Sequence, residues 1–318
     1  MAVYTQVPAE ALADFLGRFD VGTLVSVKGI AEGVENSNYL VDTTDNRFIL
    51  TLYEKRVAEG DLPFFMALLD HLAARGNPVP PAIPDREGRL IHELEGRPAC
   101  LIRFLPGVSV TRPTPPQARA AGRAMAGMHA ALADFIGERP NTLGYEAWMP
   151  LFDRCGSDLD TIDPALRPVL AAALEQVVPR WPKGGDQMVI HADLFPDNVL
   201  MRGDIVTGLI DFYFACTDLR LYDLAIMHSA WCFDPPGNHY QADVGQALIE
   251  GYAERFPLSM GERAILPTLA MGACIRFALT RAWDWLNTPA DALVTRKDPR
   301  AYTRRLAFYA NNGGQVFL

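Results

Sequence analysis

The sequence has no basic run of the kind that binds nucleic acid or an anionic membrane surface. It contains 29 lysines and arginines against 38 aspartates and glutamates, which gives a formal net charge of −9. A nucleic-acid-binding protein would show a stripe of positive charge, because much of its affinity comes from contacts with phosphates. We therefore expect neither nucleic acid nor a membrane as a partner of this chain, and we expect a small-molecule substrate.

Paired cysteines and long apolar runs are also missing. The five cysteines are scattered without a C-x-x-C pair, so we expect reduced thiols in a cytoplasmic protein and no metal or disulfide role. The longest apolar stretches are interrupted before the roughly 18–20 residues that a membrane span requires. The N-terminal segment has no basic start, and Asp14 and Asp20 break its apolar run, so we expect a helix of the mature protein and no signal peptide.

Secondary-structure signals divide the chain into two parts. Residues 1–105 carry the alternating apolar pattern of strands, with one helix from Leu62 to about Arg75. Four prolines and a glycine then fall within residues 105–116, and most later segments show the 3.6-residue apolar spacing of helices. The sequence thus predicts an α+β fold, with a small antiparallel-sheet lobe over residues 1–105 and a larger, mostly helical lobe over residues 106–318.

One segment of the second part groups residues that suit phosphoryl transfer. His191, Asp193 and Asn198 lie in a polar loop after a short apolar strand, and Asp211 ends a later strand beside Phe212. Phosphoryl transfer requires a carboxylate that orients the attacking hydroxyl and accepts its proton, together with oxygen ligands for a metal ion on the phosphates. Asp193 suits the first role, and Asn198 and Asp211 suit the second. The alternative, that these residues only cap turns, does not account for their combined spacing.

The pattern His-x-Asp-x-x-x-x-Asn, followed 13 residues later by Ile-Asp-Phe, resembles the signature of the aminoglycoside phosphotransferase and choline kinase superfamily. The resemblance implies a protein-kinase-like two-lobed fold, with the smaller lobe binding ATP. It implies that Asp193 is the catalytic base and that Asn198 and Asp211 hold Mg²⁺. It also implies that His191 stabilises the catalytic loop and that Asp223 supports the same loop from a downstream segment.

The loop between the first two predicted strands lies where a kinase covers the phosphates of ATP. Its sequence, KGIAEGVENSNY, is not a G-x-G-x-x-G loop, but it can offer backbone N–H groups and side-chain donors to phosphate oxygens. The alternative is a solvated hairpin loop. The candidate nucleotide-binding residues are Gly33, Asn36, Ser37 and Asn38 here, and Arg103, Phe104 and Leu105 where the superfamily binds adenine through a hinge.

The third predicted strand departs from the superfamily. Thr51 occupies the position where related kinases place a Lys or Arg, and Phe65 falls near the position of the glutamate that usually pairs with it. The ion pair is thus missing as a unit. Lys55 and Arg56 are candidate replacement cations for the phosphates, or simply solvated residues at a strand end. The same departure supports a rival hypothesis of another class, a kinase-like binding protein that has lost catalysis.

Within the superfamily, the chain most resembles the homoserine kinases of the bacterial threonine pathway. The resemblance covers nearly the full length and includes the segments GIAEGVENSNYLV, FILTLYEKR, NPVPPAIP, HADLFPDNVL and IDFYFACTD. It implies phosphorylation of L-homoserine to O-phospho-L-homoserine in threonine biosynthesis. Kinases for choline, ethanolamine or methylthioribose and aminoglycoside phosphotransferases are the alternatives on the same scaffold.

Charged residues in the C-terminal part suit a zwitterionic acceptor. Arg276, Thr280 and Asp284 recur at four-residue spacing and therefore share one face of a predicted helix. We expect Arg276 or Arg281 to bind a substrate carboxylate, and Asp284 or Asp234 to bind an ammonium group. The alternative is that Arg281 and Asp284 form a surface pair at i,i+3 spacing.

The histidines outside the catalytic loop lack the spacing of metal ligands. Two of them, His129 and His228, lie within apolar predicted helices. We expect both to be packing residues whose hydrogen bonds are satisfied inside the fold, and we expect no histidine metal site.

Overall fold

The computed structural model describes residues 4–30, 36–54, 57–288 and 296–317. The chain divides between Pro106 and Gly107 into two compact units. The first unit is built on a five-stranded sheet, and the second is mostly helical with two short ribbons of two strands each. This architecture confirms the predicted α+β class.

The sheet of the first unit is antiparallel throughout, in the strand order β1-β2-β3-β5-β4. Its strands are β1 (Leu24–Gly29), β2 (Ser37–Thr43), β3 (Arg47–Leu52), β4 (His92–Leu94) and β5 (Arg97–Arg103), and its helices are α1 (Ala9–Leu16) and α2 (Leu62–Ala74). In β2, buried and half-buried residues alternate, as the period of two in a strand requires. The buried face packs in one core with Leu12, Phe15 and Leu16 of α1.

The segment before β5 contains two turns. The first is at Glu87–Gly88, a pair typical of a tight turn, where the Asp85 carboxylate accepts the backbone N–H of Glu87 at 2.9 Å. The paired strands, however, are joined at Glu95 and Gly96, which have φ of 52° and 69°. A two-residue turn of type I′ has positive φ at both central positions. Glutamate is uncommon in that conformation, so Glu95 is a weak sequence signal for this turn.

The second unit contains eight α-helices and four strands within its described residues. The helices are α3 (Pro115–Ala131), α4 (Tyr145–Cys155), α5 (Leu159–Ile162), α6 (Leu166–Val177), α7 (Arg220–Trp231), α8 (Ala242–Ala253), α9 (Met260–Asn287) and α10 (Arg300–Val316). The strands are β6 (Gln187–Ile190) paired with β9 (Cys216–Leu219), and β7 (Val199–Arg202) paired with β8 (Ile205–Leu209). Helix α4 contains Pro150 in its interior, where a proline removes one backbone hydrogen bond of the helix.

Two helices form the centre of the second unit. Every residue of α7 is buried. Helix α9 has 28 residues and a mean hydropathy of 1.2 in its most apolar window. By length and composition alone it could cross a membrane, contrary to the expectation that every apolar stretch is too short. Of that window, 67% is buried inside the fold, which is typical of a core helix in a globular protein.

Helices α3 and α8 approach each other closely through glycines. A Cβ atom on Gly251 would lie 2.1 Å from the carbonyl oxygen of Arg119. We expect Gly251→Ala to lower the free energy of unfolding by about 1–3 kcal/mol, because the backbones must separate to admit the methyl group. Chemical denaturation followed by circular dichroism measures this change. The control is Gly261→Ala in the first turn of α9, where a Cβ would meet no atom within 4 Å; equal destabilisation by both substitutions would contradict the packing argument.

Candidate active site

The predicted catalytic loop, residues 191–198, joins β6 to β7. Its second residue, Ala192, is buried and has a φ of 62°, and Asp211, which follows β8, has a φ of 66°. Left-handed backbone is tolerated by aspartate but is costly for alanine. Such strain persists where surrounding contacts determine the conformation, and it concentrates at functional sites.

Asp193 and Asn198 contact each other directly. The side-chain amide of Asn198 donates to the backbone oxygen of Asp193 at 2.8 Å and to its carboxylate Oδ2 at 3.3 Å. Since the Nδ2 group is engaged in this way, Oδ1 of Asn198 is the atom left to act as an oxygen ligand. The backbone N–H of Ile210 donates to the backbone oxygen of Asn198 at 3.0 Å, which places the adjacent Asp211 at the same end of the β7–β8 ribbon.

The charge environment of Asp193 differs from that of a surface carboxylate. Burial raises the pKa of Asp193 well above its usual value. The positive charges of Arg276 and Lys297 act in the opposite direction, and the negative charges of Asp211 and Asp197 add to the rise. A carboxylate of raised pKa accepts a proton more readily, so the environment of Asp193 suits a general base.

His191 ties the loop to the end of β8. The ring is buried, its Nε2 lies 3.0 Å from the carbonyl oxygen of Ile210, and its Nδ1 accepts the backbone N–H of Asp193 at 3.3 Å. These partners assign the proton to Nε2. Burial lowers the pKa of His191, which keeps the ring neutral. The position suits a loop-stabilising role, as the sequence comparison with related kinases implies.

Asp223 of α7 stabilises the left-handed backbone at Ala192 through hydrogen bonds. Its two carboxylate oxygens accept the backbone N–H groups of His191 at 2.9 Å and Ala192 at 2.8 Å. A third contact joins Oδ2 to Nε2 of His129 at 3.0 Å. Asp223 is fully buried, so these bonds replace the water that the carboxylate would otherwise bind. The residue thereby positions the backbone immediately before Asp193.

His129 belongs to a longer buried chain of hydrogen bonds that sequence reasoning missed. Its Nδ1 lies 3.0 Å from the hydroxyl of Tyr252, and that hydroxyl accepts from Arg220 at 2.7 Å. Arg220 in turn donates to the carboxylates of Asp186 at 2.6 Å and Glu262 at 2.7 Å. His129 is a satisfied core histidine, as predicted, but its partner is the residue that holds the catalytic loop. The one residue in the sequence that could have indicated this hydrogen-bond network is Arg220, which lies three positions before Asp223 on the same helix.

The four candidate substrate residues fall into different environments. Arg276 is only 2% exposed and donates to the backbone oxygen of Ala192 at 2.6 Å. This contact suits a role in holding the loop better than the predicted binding of a substrate carboxylate. Asp234 accepts the backbone N–H groups of Asn238 and His239 at 2.7 and 2.9 Å, so this carboxylate already closes a turn.

The other two candidates remain compatible with a substrate role. Arg281 and Asp284 are both half-buried on α9. The guanidinium of Arg281 stacks 4.5 Å from the ring centre of Tyr302 and donates to the backbone oxygen of Asp298 at 3.4 Å. Arg281 is therefore packed against α10 and the segment before it. This environment differs from the surface pair with Asp284 that was the predicted alternative.

The candidate phosphate-binding residues lie on opposite faces of β2. The Ser37 hydroxyl accepts the backbone N–H groups of Tyr4 and Thr5 at 2.8 and 3.1 Å and donates to Glu54 at 2.7 Å. Its hydrogen bonds are thus used within the first unit, and the Oδ1 of Asn36 likewise accepts the N–H of Glu54 at 3.3 Å. These contacts engage the Ser37 hydroxyl and Oδ1 of Asn36 within the first unit.

Asn38 differs, because its side chain lies on the other face of β2 beside Thr51. The Thr51 hydroxyl donates to Oδ1 of Asn38 at 2.8 Å, and within the part of the chain that the structure describes the Asn38 amide N–H groups have no acceptor. A neutral hydrogen bond is therefore made by Thr51, at the position where the resemblance implied a Lys or Arg. Gly33, Lys55 and Arg56 lie outside the described residues.

The predicted hinge follows the last residue of β5, Arg103, which is exposed. The backbone N–H of Arg103 donates to the carbonyl oxygen of Pro81 at 3.1 Å, so the proline-rich segment fixes this end of the strand. Phe104 and Leu105 are half-buried, and the Arg47 guanidinium lies 5.3 Å from the ring centre of Phe104. Of the three candidate hinge residues, Arg103 therefore belongs to β5, and Phe104 and Leu105 follow the strand.

Among the described residues, no group of three or more His, Cys, Asp and Glu side chains could hold a metal ion. The candidate ligands Asn198 and Asp211 offer an amide oxygen and a carboxylate instead. Hard divalent cations prefer oxygen ligands, and a cation bound to phosphates takes its remaining ligands from phosphate and water. The donor set therefore fits a divalent metal that is bound together with a nucleotide.

Comparison with known proteins decides which family these features represent. Residues 26–258 match the phosphotransferase enzyme family, APH. The chain belongs to this family. It is 54% identical over 309 residues to the homoserine kinase of Methylobacterium nodulans, covering 97% of this chain and 96% of that protein. It is 52% identical over 311 residues to the homoserine kinase of Zymomonas mobilis subsp. mobilis, covering 97% of each.

The fold of this phosphotransferase also recurs among solved structures. Amicoumacin kinase hAmiN, in complex with AMP-PNP, Ca²⁺ and Ami, superposes with a TM-score of 0.69, covering 96% of this chain and 93% of that one. At 14% identity, this likeness concerns the fold alone. The predicted kinase-like two-lobed fold, the predicted family resemblance and the predicted enzyme class are confirmed. For the phosphotransferase, the family implies ATP as phosphoryl donor and typically a divalent metal.

Proposed function

We propose that this phosphotransferase transfers the γ-phosphoryl group of ATP to the side-chain hydroxyl of L-homoserine, giving ADP and O-phospho-L-homoserine. The observation that carries the proposal is identity of 54% and 52% over 97% of the chain to two homoserine kinases. We place the enzyme in threonine biosynthesis, because L-homoserine is its proposed substrate. Its unpaired cysteines suit the reducing environment of the cytoplasm, where we place the enzyme.

Asp193 acts on the acceptor in this proposal. Asn198 donates to its Oδ2, so Oδ1 of Asp193 is the oxygen that accepts the homoserine hydroxyl proton. The hydroxyl oxygen attacks the γ-phosphorus, the bond from phosphorus to the ADP oxygen breaks, and ADP leaves in line without a phosphoenzyme. Because phosphoryl transfer passes through a loose transition state, the main task of the protein is to position and stabilise charge.

Asn198 and Asp211 are the residues that would hold Mg²⁺. When bound there, the metal neutralises charge on the phosphates of the nucleotide. The contact between Asn198 and Asp193 couples the metal ligand and the base, since one amide group orients both. His191 and Asp223 act through the backbone by keeping the loop in its strained conformation.

Residues 1–105 would bind the nucleotide. The hinge residues Phe104 and Leu105 would offer backbone groups to adenine, whereas the N–H of Arg103 already donates to Pro81. The amide N–H groups of Asn38, which have no acceptor among the described residues, suit a phosphate oxygen. The Thr51–Asn38 bond keeps this donor in place without a positive charge. A catalytically inactive binding protein would need no such set of base and metal ligands, so the rival hypothesis of lost catalysis is not favoured.

The experiment is a coupled ADP-release assay with Mg·ATP and a panel of acceptors: L-homoserine, choline, ethanolamine, methylthioribose and kanamycin. We expect turnover with L-homoserine, at typical kinase rates of about 1–100 s⁻¹, and background ADP release with the others. Turnover with another acceptor only would replace the proposed substrate. Folded protein that binds Mg·ATP and phosphorylates none of the panel would contradict the proposal.

A further inference from the structure

Three aromatic rings of the second unit meet beside the catalytic loop. Phe195, two residues after Asp193, lies with its ring centre 4.8 Å from that of Phe277 and 6.4 Å from that of Tyr302. The rings of Phe277 and Tyr302 are 5.1 Å apart. The cluster therefore joins the catalytic loop to α9 and α10. We call Phe195, Phe277 and Tyr302 the aromatic cluster.

Two cationic side chains lie against this cluster. The Nζ of Lys297 is 5.8 Å from the ring centre of Phe195, and the Cζ of Arg281 is 4.5 Å from that of Tyr302. Both distances are in the range of cation–π contacts. Lys297 is exposed and follows the segment outside the described residues, whereas Arg281 is half-buried on α9. Sequence reasoning missed Lys297, which lies more than 100 positions after Asp193.

The positive charge at this place is only partly neutralised. Burial lowers the pKa of Arg281, and the nearby positive charge of Arg305 lowers it further, while Asp193 and Asp197 act in the opposite direction. Lys297 lies 3.7 Å from the exposed carboxylate of Asp197, and such an exposed pair is largely screened by water. An added anionic group would therefore be stabilised between the two cations, whereas a purely cationic acceptor would be repelled.

Two further cations near the loop, Arg276 and Arg305, are less suited to contact a ligand. Arg276 is buried and donates to the backbone oxygen of Ala192. Arg305 is likewise buried and donates to the backbone oxygens of Asp234 and Pro235 at 3.1 and 3.3 Å. Arg281 and Lys297 are thus the two cations of the group with exposed surface.

We propose that Arg281 and Lys297 form the subsite that binds the carboxylate of the acceptor beside Asp193. The inference rests on the proposed function and deepens it, because it assigns the acceptor to the α-amino acids with a side-chain hydroxyl and excludes simple amino alcohols. A guanidinium and an ammonium group supply directional donors to the two carboxylate oxygens. Tyr302 and Phe195 orient the two cations through their ring faces.

The test compares L-homoserine with 3-amino-1-propanol, which is the same molecule without its carboxylate. In the wild type we expect a much lower KM for L-homoserine than for the amino alcohol. We expect Arg281→Gln and Lys297→Gln each to raise the KM for L-homoserine by roughly 10- to 100-fold. The KM for 3-amino-1-propanol should stay unchanged or fall, because this acceptor has no carboxylate for the subsite to bind and each substitution removes a repelling positive charge.

Controls separate the subsite from its surroundings. Lys183→Gln removes an equal charge from an exposed position in the loop before β6 and should leave both substrates unaffected. Arg281→Lys should raise the KM for L-homoserine less than Arg281→Gln does, because lysine keeps the positive charge but lacks the planar guanidinium group. Titration calorimetry with L-homoserine on the Lys297→Gln protein provides a second measurement, and the same loss of affinity should appear there.

The possible failures are distinct. If the wild type does not phosphorylate L-homoserine, the proposed function itself fails. If the wild type does so, but Arg281→Gln and Lys297→Gln keep the wild-type KM, the subsite is overturned and the proposed function stands. Equal losses with L-homoserine and 3-amino-1-propanol would also overturn the subsite, because they would indicate a general effect on the catalytic loop.

Discussion

Asp193→Asn is expected to lower the kcat for L-homoserine by roughly 10²- to 10⁴-fold, the range that a positioned general base contributes. Asparagine keeps the size of the side chain and one of its oxygens, but it cannot accept the hydroxyl proton. The Asp193 carboxylate accepts the side-chain amide of Asn198 at 3.3 Å, and the oxygen of asparagine can accept the same bond, so the free energy of unfolding should change little. The measurement is kcat by coupled ADP release, beside thermal unfolding and Mg·ATP binding.

The matched control for this substitution is Asp204→Asn. Asp204 is exposed in the turn between β7 and β8, in the same unit and with the same chemical change. Its variant should retain full activity. A comparable loss of kcat in both variants, or an active Asp193→Asn enzyme, would show that Asp193 is not the base.

Asp223→Asn is expected to destabilise the second unit by about 3 kcal/mol. The carboxylate of Asp223 accepts two backbone N–H groups and contacts His129, all in a fully buried position. An asparagine amide turns one of these acceptors into a donor, so one N–H of the loop would face another N–H. Since the same bonds hold Ala192 at positive φ, kcat should fall as well. Urea denaturation followed by tryptophan fluorescence measures the stability.

The pH dependence of stability provides the check on this second prediction. Burial by itself would raise the pKa of Asp223, but the hydrogen bond and charge of His129 and the contacts of His191 outweigh it, and the net pKa lies below the usual value. A carboxylate with a lowered pKa in the folded state stabilises the protein fully above its unfolded pKa, about 3.9, and loses this contribution as the pH falls through the folded pKa.

The difference in stability between wild type and Asp223→Asn should therefore be constant from about pH 5 to 8 and shrink below about pH 4. The matched control is Asp218→Asn, because Asp218 also accepts a side-chain amide, from Asn141 at 2.6 Å, but lies outside the contacts of the catalytic loop. A difference that stays constant down to pH 2.5 would contradict the charged, hydrogen-bonded Asp223 described above.

The motif of the catalytic loop was predictable because its parts are close in sequence. Asp193 and Asn198 are five residues apart, and a strand followed by a short polar loop brings them together by local geometry alone. The family and the enzyme class followed from the same segment and are confirmed. The roles of the individual residues remain predictions that the substitutions above test.

Sequence reasoning was less successful where burial or strand face decides the role of a side chain. Ser37 and Asn38 are adjacent and equally polar, but they point to opposite faces of β2, and only Asn38 keeps donors for a ligand. Helical spacing put Arg276 on one face with Asp284, but it did not reveal that this face of α9 lies beneath the catalytic loop at Arg276.

The sequence by itself determined the α+β class, the division into a sheet part and a helical part, the loop that carries the candidate base and the candidate metal ligands, and the family. Each of these depends on local periodicity or on spacing within about 20 residues. The resemblance to related kinases implied that His191 and Asp223 support that loop, but only the tertiary structure decided through which contacts they do so and that Arg276 and His129 also take part. Asp223 and His191 are 32 positions apart, Arg276 and Ala192 are 84, and His129 and Asp223 are 94. Contacts at such separations arise from the packing of α3, α7 and α9, and no spacing along the chain encodes them.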